Sequence, residues 1–94
     1  MFITITGSNY YLGIERYKIG EELFLKKDSD NSYDSEAIAV ITDKDVKCGY
    51  VANSTCTVAK GTHSAGYIYN QIKDKTKCKV LFVVNDYVIA EIYW

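Results

Sequence analysis

The feature that most constrains this chain is a two-residue hydrophobic period that repeatedly starts and stops. A polar, turn-forming run, Asn31-Ser32-Tyr33-Asp34-Ser35-Glu36, feeds directly into the apolar alternation Ala37-Ile38-Ala39-Val40. Asn and Asp favour turns because their side chains bond nearby backbone groups. Alternation at period two puts successive side chains on opposite faces of a sheet. The same pattern marks strand one at Phe2 to Thr6, with Ile3 and Ile5 sharing a face. It marks strand two at Leu23 to Lys27, where Leu23 and Leu25 oppose Phe24 and Lys26. Strand three is Ala37 to Thr42, followed by the charged turn Asp43-Lys44-Asp45 and by strand four, Val46 to Val51. Thr76 to Val84 and Tyr87 to Trp94 flank Asn85-Asp86, a two-residue hairpin turn.

Only one stretch breaks the pattern. Ser54 or Thr55 is placed to cap a short helix through Lys60, closed by Gly61, and Ser64 to cap a second reaching Lys73. Ala65, Ile68 and Ile72 fall on one face of that second helix. Short strands with one helical insert predict a mainly β fold, α+β by content. The expected architecture is a small SH3-like or OB-like barrel of about six strands, with two short helices between strands four and five. Closure also hides strand edges. With 94 residues and no proline, linker or repeat, residues 1–94 are expected to form a single domain.

Composition sets bounds on function. No apolar run is long enough to span a bilayer, so no membrane partner is expected. Met1-Phe2-Ile3-Thr4-Ile5 alternates and has no basic flank, so it reads as a strand and not a signal peptide. The expected location is cytoplasmic. Three cysteines without a CxxC pair fit free thiols in a reducing compartment, and Cys48 and Cys78 fall within strands. A net charge of −1 excludes the strongly basic class of nucleic-acid binders, so any such contact must be local.

Three loops carry tyrosines: Gly7-Ser8-Asn9-Tyr10-Tyr11-Leu12-Gly13, the run around Tyr33, and Cys48-Gly49-Tyr50-Val51. Tyr10, Tyr11, Tyr33 and Tyr50 could line one cleft that stacks unpaired bases, at about 1–3 kcal/mol per base. Tyrosines also cap small barrels with the hydroxyl wet. Nine tyrosines in one chain must include some of that kind.

Three pieces, Gly7-x-x-Tyr10-Tyr11-x-Gly13, Asn31-x-Tyr33-Asp34-x-x-Ala37-Ile38-x-Val40 and Gly49-Tyr50-Val51, occur in an order and spacing that resembles the HIRAN domain. The resemblance runs from about Phe2 to the helix near Ile72, and the last two strands match in pattern only. It implies a β-barrel module, found in fork-remodelling helicases and as stand-alone bacterial and phage proteins. The implied function is non-enzymatic binding of single-stranded DNA 3′-hydroxyl ends, in DNA repair or replication-fork processing. The implied DNA-binding residues are Asn9, Tyr10, Tyr11, Asn31, Tyr33, Asp34, Tyr50 and Asn53, and a helicase or nuclease is an expected protein partner. In that family the loop holding Asn31 and Asp34 meets the terminal sugar. An ionised carboxylate accepts a hydrogen bond from a 3′-hydroxyl and repels a 3′-phosphate. The helicase-borne members carry an arginine where Asn9 stands and a basic pair where Ala52 and Asn53 stand. Their Gly-His-Leu is Gly49-Tyr50-Val51 here. Lower affinity follows from the missing charges.

No catalytic set emerges: there is one histidine, no Gly-rich phosphate loop and no nucleophile with a base. Asp34 and Glu36 mark no reacting centre. Cys48, Cys56, His63 and Cys78 fit no compact zinc spacing, and no metal or cofactor is expected. His63 reads as a capping or packing residue, with phosphate binding as its other reading. Lys75, Lys77 and Lys79 share one strand face, and Lys26, Lys27, Lys44 and Lys47 read as ordinary surface. A reading from a different class stays open beside DNA binding: an adaptor that takes a peptide or partner domain in the same aromatic cleft.

Overall fold

The computed structural model describes residues 1–94. Six strands close into one antiparallel barrel: β1 (Phe2–Thr6), β2 (Glu22–Lys27), β3 (Ile38–Ile41), β4 (Lys47–Val51), β5 (Thr76–Val84) and β6 (Tyr87–Ile92). Their order around the barrel is β1-β4-β3-β2-β5-β6. The mainly β barrel predicted by the alternation is the fold observed. The inward positions meet in register: Ile3 opposite Ala90, Ile5 opposite Val88, Leu25 opposite Val40, and Leu23 opposite Cys78. All eight are buried. Each fully buried Leu, Ile or Val contributes about 1.5–3 kcal/mol, so the period-two pattern sets the register.

The insert between β4 and β5 differs from the expected pair of helices. Residues 54–58 form a single turn, in which Ser54 O accepts from Thr57 and Val58 N. The β-branched and Cys residues there are poor helix formers. The chain is then captured by β1: buried Thr4 Oγ1 accepts from Ala59 N at 3.0 Å and pairs with Thr62 Oγ1 at 2.7 Å. The second helix is real but short, α1 (Ala65–Ile68), with Ser64 Oγ accepting from Tyr67 N at 3.2 Å. Gly66 inside it weakens propagation. Ala65, Ile68 and Ile72 still reach the core as one stripe.

Two short 3-10 turns, Ser8–Tyr10 and Ile14–Arg16, build the first loop, and Gly7 enters it at φ 74°. The loop is anchored from inside. Tyr17, on the polar approach to β2, is buried. Its hydroxyl donates to Cys48 O and accepts from buried Ser8 Oγ, both at 3.0 Å. Burial pushes that phenol up to about 12. Gly49 lies directly beneath: a Cβ there would stand 2.7 Å from Thr6 O and 3.0 Å from the Tyr17 hydroxyl.

Cys48 and Cys78 are buried within the barrel and Cys56 is exposed on the 54–58 turn. Burial raises both inner thiols, Cys78 to about 12. Titration of the native protein with a thiol reagent at neutral pH should therefore show one fast-reacting cysteine and three after denaturation. Two or more fast thiols in the native state would contradict this placement. Gly49→Ala should lower stability by about 1–3 kcal/mol, the usual cost of forcing an atom into a filled site. Denaturant melting that is unchanged by the substitution would refute the close approach.

Candidate functional site

A cleft of about 290 Å³ opens where the 28–36 loop meets the end of β4 and the start of the 54–58 turn. Buried Ala37, Val51 and Ala52 give it an apolar floor. Asn31, Tyr33, Asp34, Tyr50 and Asn53 line it, so five of the eight residues singled out from sequence share one cleft. Asn9, Tyr10 and Tyr11 do not line it. Asn9 and Tyr10 lie on the first 3-10 turn, Tyr10 being 87% exposed. Tyr11 reaches the edge of the site through Tyr50, with ring centroids 6.3 Å apart and tilted by 39°.

The polar residues of the 28–36 loop first shape the loop itself. Asn31 Oδ1 accepts from the backbone N of Tyr33 at 2.9 Å and of Asp34 at 3.0 Å. This Asx turn throws Tyr33 outward, where it is 98% exposed. Asp34 Oδ1 accepts from Glu36 N at 2.9 Å. Asn53 then clamps three elements. Its Nδ2 donates to Asp34 Oδ2 at 3.1 Å and to Glu36 Oε1 at 3.2 Å, while its Oδ1 accepts from Gly66 N at 2.8 Å. A Cβ on Gly66 would sit 2.6 Å from Glu36 Oε1 and 3.1 Å from Asn53 Oδ1, so a side chain there would displace the Glu36 carboxylate from the junction. The Asp34 carboxylate is thus held in place by neutral donors. Each oxygen has two lone pairs, so acceptor capacity remains for a ligand.

No lysine or arginine lines the cleft. The chain's one arginine, Arg16, is engaged elsewhere by a bidentate pair with Glu21, at 2.9 and 3.1 Å. A cation does touch the lining residue Tyr50: Lys47, which sequence reasoning placed on ordinary surface. Its Nζ donates to the Tyr50 hydroxyl at 2.8 Å and sits 5.0 Å from the Tyr50 ring centroid and 5.9 Å from that of Tyr11. Tyr50 in turn donates to Asp28, and Lys47 Nζ lies 3.7 Å from the same carboxylate. The bond from Tyr50 holds Asp28 below its ordinary value, and the hydrogen bond to Tyr50 raises Lys47. Burial raises the Tyr50 phenol, and the bond to Asp28 raises it further.

A strand alternation misses this trio because the β3–β4 register slips between Val40 and Ile41. The bulge puts Cys48 and Gly49 both inside and leaves Lys47 and Tyr50 half-buried on the outside. Two residues three apart thereby share a face, which a period of two forbids. The only signal in the sequence was the glycine, a frequent mark of a bulge within a strand.

The residues weighed as zinc ligands lie apart in kind and place. Cys48 and Cys78 are core, Cys56 is on an exposed turn, and His63 stacks on Tyr67 at 4.4 Å and 17°. No group of three His, Cys, Asp or Glu side chains is arranged to hold a metal ion. No helix is long and apolar enough to cross a membrane.

Comparison with known proteins bears on the whole chain. A family model described as HIRAN domain matches residues 1–85. Among solved structures, the HIRAN domain of human HLTF is similar with a TM-score of 0.63 and 20% identity, covering 98% of this chain and 73% of that one. A protein from Lactobacillus plantarum is similar with a TM-score of 0.61 and 21% identity, covering 95% of this chain and 85% of that one. At such identities these two likenesses concern the fold. No curated protein matches the chain in sequence.

The Tyr50–Asp28 bond predicts an acid-sensitive contribution to stability. A depressed carboxylate stabilises the fold above its unfolded value and loses that contribution as pH falls through its folded value. Tyr50→Phe should cost about 1.5–3 kcal/mol at neutral pH, the range of a bond to a charged group. The gap to the parent protein should close as pH falls below about 4, where Asp28 protonates in the unfolded chain. Urea melts across that range measure it, and a gap independent of pH would exclude the assignment.

Proposed function

The chain belongs to the HIRAN domain family, and from that premise we propose that it is a non-enzymatic module recognising the free 3′-hydroxyl end of single-stranded DNA. The family is one of DNA-binding modules, which supports the broad class. The observation that carries the finer reading is the Asp34 carboxylate, fixed by Glu36 N and Asn53 Nδ2 inside a cleft rimmed by the fully exposed Tyr33. A terminal hydroxyl donates to Asp34. The last base stacks on Tyr33, and Tyr50, with Tyr11 beside it, supplies the second aromatic part of the lining. Asn31 and Asn53 complete the polar lining, chiefly by holding Asp34 in position. A role in DNA repair or fork processing, and a helicase or nuclease as partner, belong to the same proposal.

One feature favours a second reading. The absence of any lysine or arginine in the cleft suits a peptide as well as a strand end. An adaptor would use Tyr33 as an aromatic anchor, since exposed aromatics are common at interface centres.

Fluorescence anisotropy with a labelled oligonucleotide separates the two. A strand ending in a 3′-hydroxyl should bind more tightly than the same strand ending in a 3′-phosphate, because the carboxylate repels the second. Tyr33→Ala should cost about 1–3 kcal/mol of binding. Asp34→Asn should weaken hydroxyl binding and narrow the difference between the two ends. With so few cations near, log Kd should vary with log salt by only about 0.7–1.4, one or two phosphates on a single strand. Equal affinity for both ends, or no binding, would put the adaptor reading first.

A further inference from the structure

The end-binding cleft is not isolated. Asn53 and Ser54 also line a second cleft of about 490 Å³, between the 54–58 turn and α1. Lys60, Gly61 and Thr62 of that second cleft in turn line a third, of about 260 Å³, whose other walls include Phe2, Leu81, Phe82 and Ile89. Each cleft is thus the neighbour of the next through shared lining residues, and taken in order the three make a groove-like row. It runs from Tyr33 across the insert to the β5–β6 hairpin.

The lining of this groove has the chemistry that the first cleft lacks. His63 and Tyr67 stack face to face, and Tyr67 is 57% exposed. This shelf is fixed from behind: His63 N donates to Phe2 O at 2.8 Å, and Tyr67 N donates to Ser64 Oγ. Lys60 is exposed and belongs to none of the chain's four ion pairs. Lys47, Lys75 and Lys77, by contrast, are paired with Asp28, Asp45 and Glu22. Beyond Lys60 stands Phe82, 61% exposed in the hairpin arm. Flat faces spaced along a groove, with a free ammonium between them, suit successive bases and a phosphate.

We infer that a strand held by its 3′ end continues 5′-ward along this groove, stacking on the His63–Tyr67 shelf and then Phe82, with Lys60 against its phosphates. The inference rests on the end-binding reading for its direction, and it assigns to the insert a function that the first cleft does not need. It also places the missing charge. The cleft that tests the terminal hydroxyl stays free of cations, while the phosphate contact lies further along the strand.

The test compares a thymidine dinucleotide with a thymidine octanucleotide, each with a free 3′-hydroxyl, on the full chain. The octanucleotide should bind at least about tenfold more tightly, equivalent to about 1.4 kcal/mol. Tyr67→Ala, Phe82→Ala and Lys60→Ala should each reduce that gain and leave dinucleotide affinity unchanged. All three side chains are exposed, so the variants should fold, and unchanged melting curves verify it. Equal affinity for the two lengths, or a gain that survives all three substitutions, overturns the groove and leaves end recognition standing. A gain that these substitutions abolish, but with no preference for the 3′-hydroxyl over the 3′-phosphate, supports the groove and overturns end recognition. Binding of neither oligonucleotide overturns both.

Discussion

The hydroxyl of Tyr17, closed over Gly49, is the contact on which the placement of the site depends. It joins the first loop through Ser8 Oγ to the β4 backbone through Cys48 O. A phenol buried at this depth needs both its donor and its acceptor role satisfied, and here both are. The approach is possible only because residue 49 has no Cβ to meet Thr6 O. The consequence reaches outward along the next peptide. With Cys48 and Gly49 both drawn inside, the bulge turns Tyr50 toward the 28–36 loop and brings Lys47 alongside it. Core packing on one side of β4 therefore dictates which side chains face the cleft on the other.

The electrostatics of the cleft follow from how its carboxylate is held. A carboxylate braced by an arginine would be largely neutralised and have few open lone pairs. Asp34 is braced by an amide and a backbone N–H, which orient it without cancelling its charge. The nearby ammonium of Lys47 does not compensate either, because Asp28 and Tyr50 occupy it. Such a cleft attracts hydrogen-bond donors and repels anions. Discrimination of this kind comes as much from what the site rejects as from what it accepts.

Much of the barrel was legible because period two and burial coincide. Ile3 and Ile5, or Leu23 and Leu25, read as one face and are one face. The legible part ends where tertiary contacts override local pattern. Ser54 does start a turn, yet Thr4 captures Ala59 N and the turn cannot become a helix. Lys47 looked like surface because the bulge beside it, at Cys48, is invisible to an alternation count. Tyr17 sat in a stretch with lysine, glycine and glutamate, and nothing local marks its hydroxyl as the anchor of another loop. The Asn85-Asp86 turn was placed correctly, but neither residue has positive φ. The primed turns that a two-residue hairpin favours are therefore not used. Of the site residues, Asn31, Tyr33 and Asp34 were legible as a group because one loop holds them all. Asn53 was reached only through family resemblance, and its part as a clamp between Asp34, Glu36 and α1 depends on contacts across 13 to 19 residues of sequence.

That clamp explains why so short a helix persists in the fold. Four residues of α1 cannot be stable alone, since nucleation costs more than one turn returns. Asn53 Oδ1 takes the Gly66 N–H, Ser64 takes that of Tyr67, and Ala52 O takes that of Ala65. Ala65 and Ile68 contribute the apolar burial. The helix is thus held by the same residue that fixes the Asp34 carboxylate, so the loop and the helix share one hydrogen-bonded junction. A ligand that pulls on Asp34 loads this junction, and through it the backbone that carries Tyr67. The backbone of the second cleft is thus tied to the carboxylate of the first through one amide side chain, while the other side chains that line the second cleft remain independent of it.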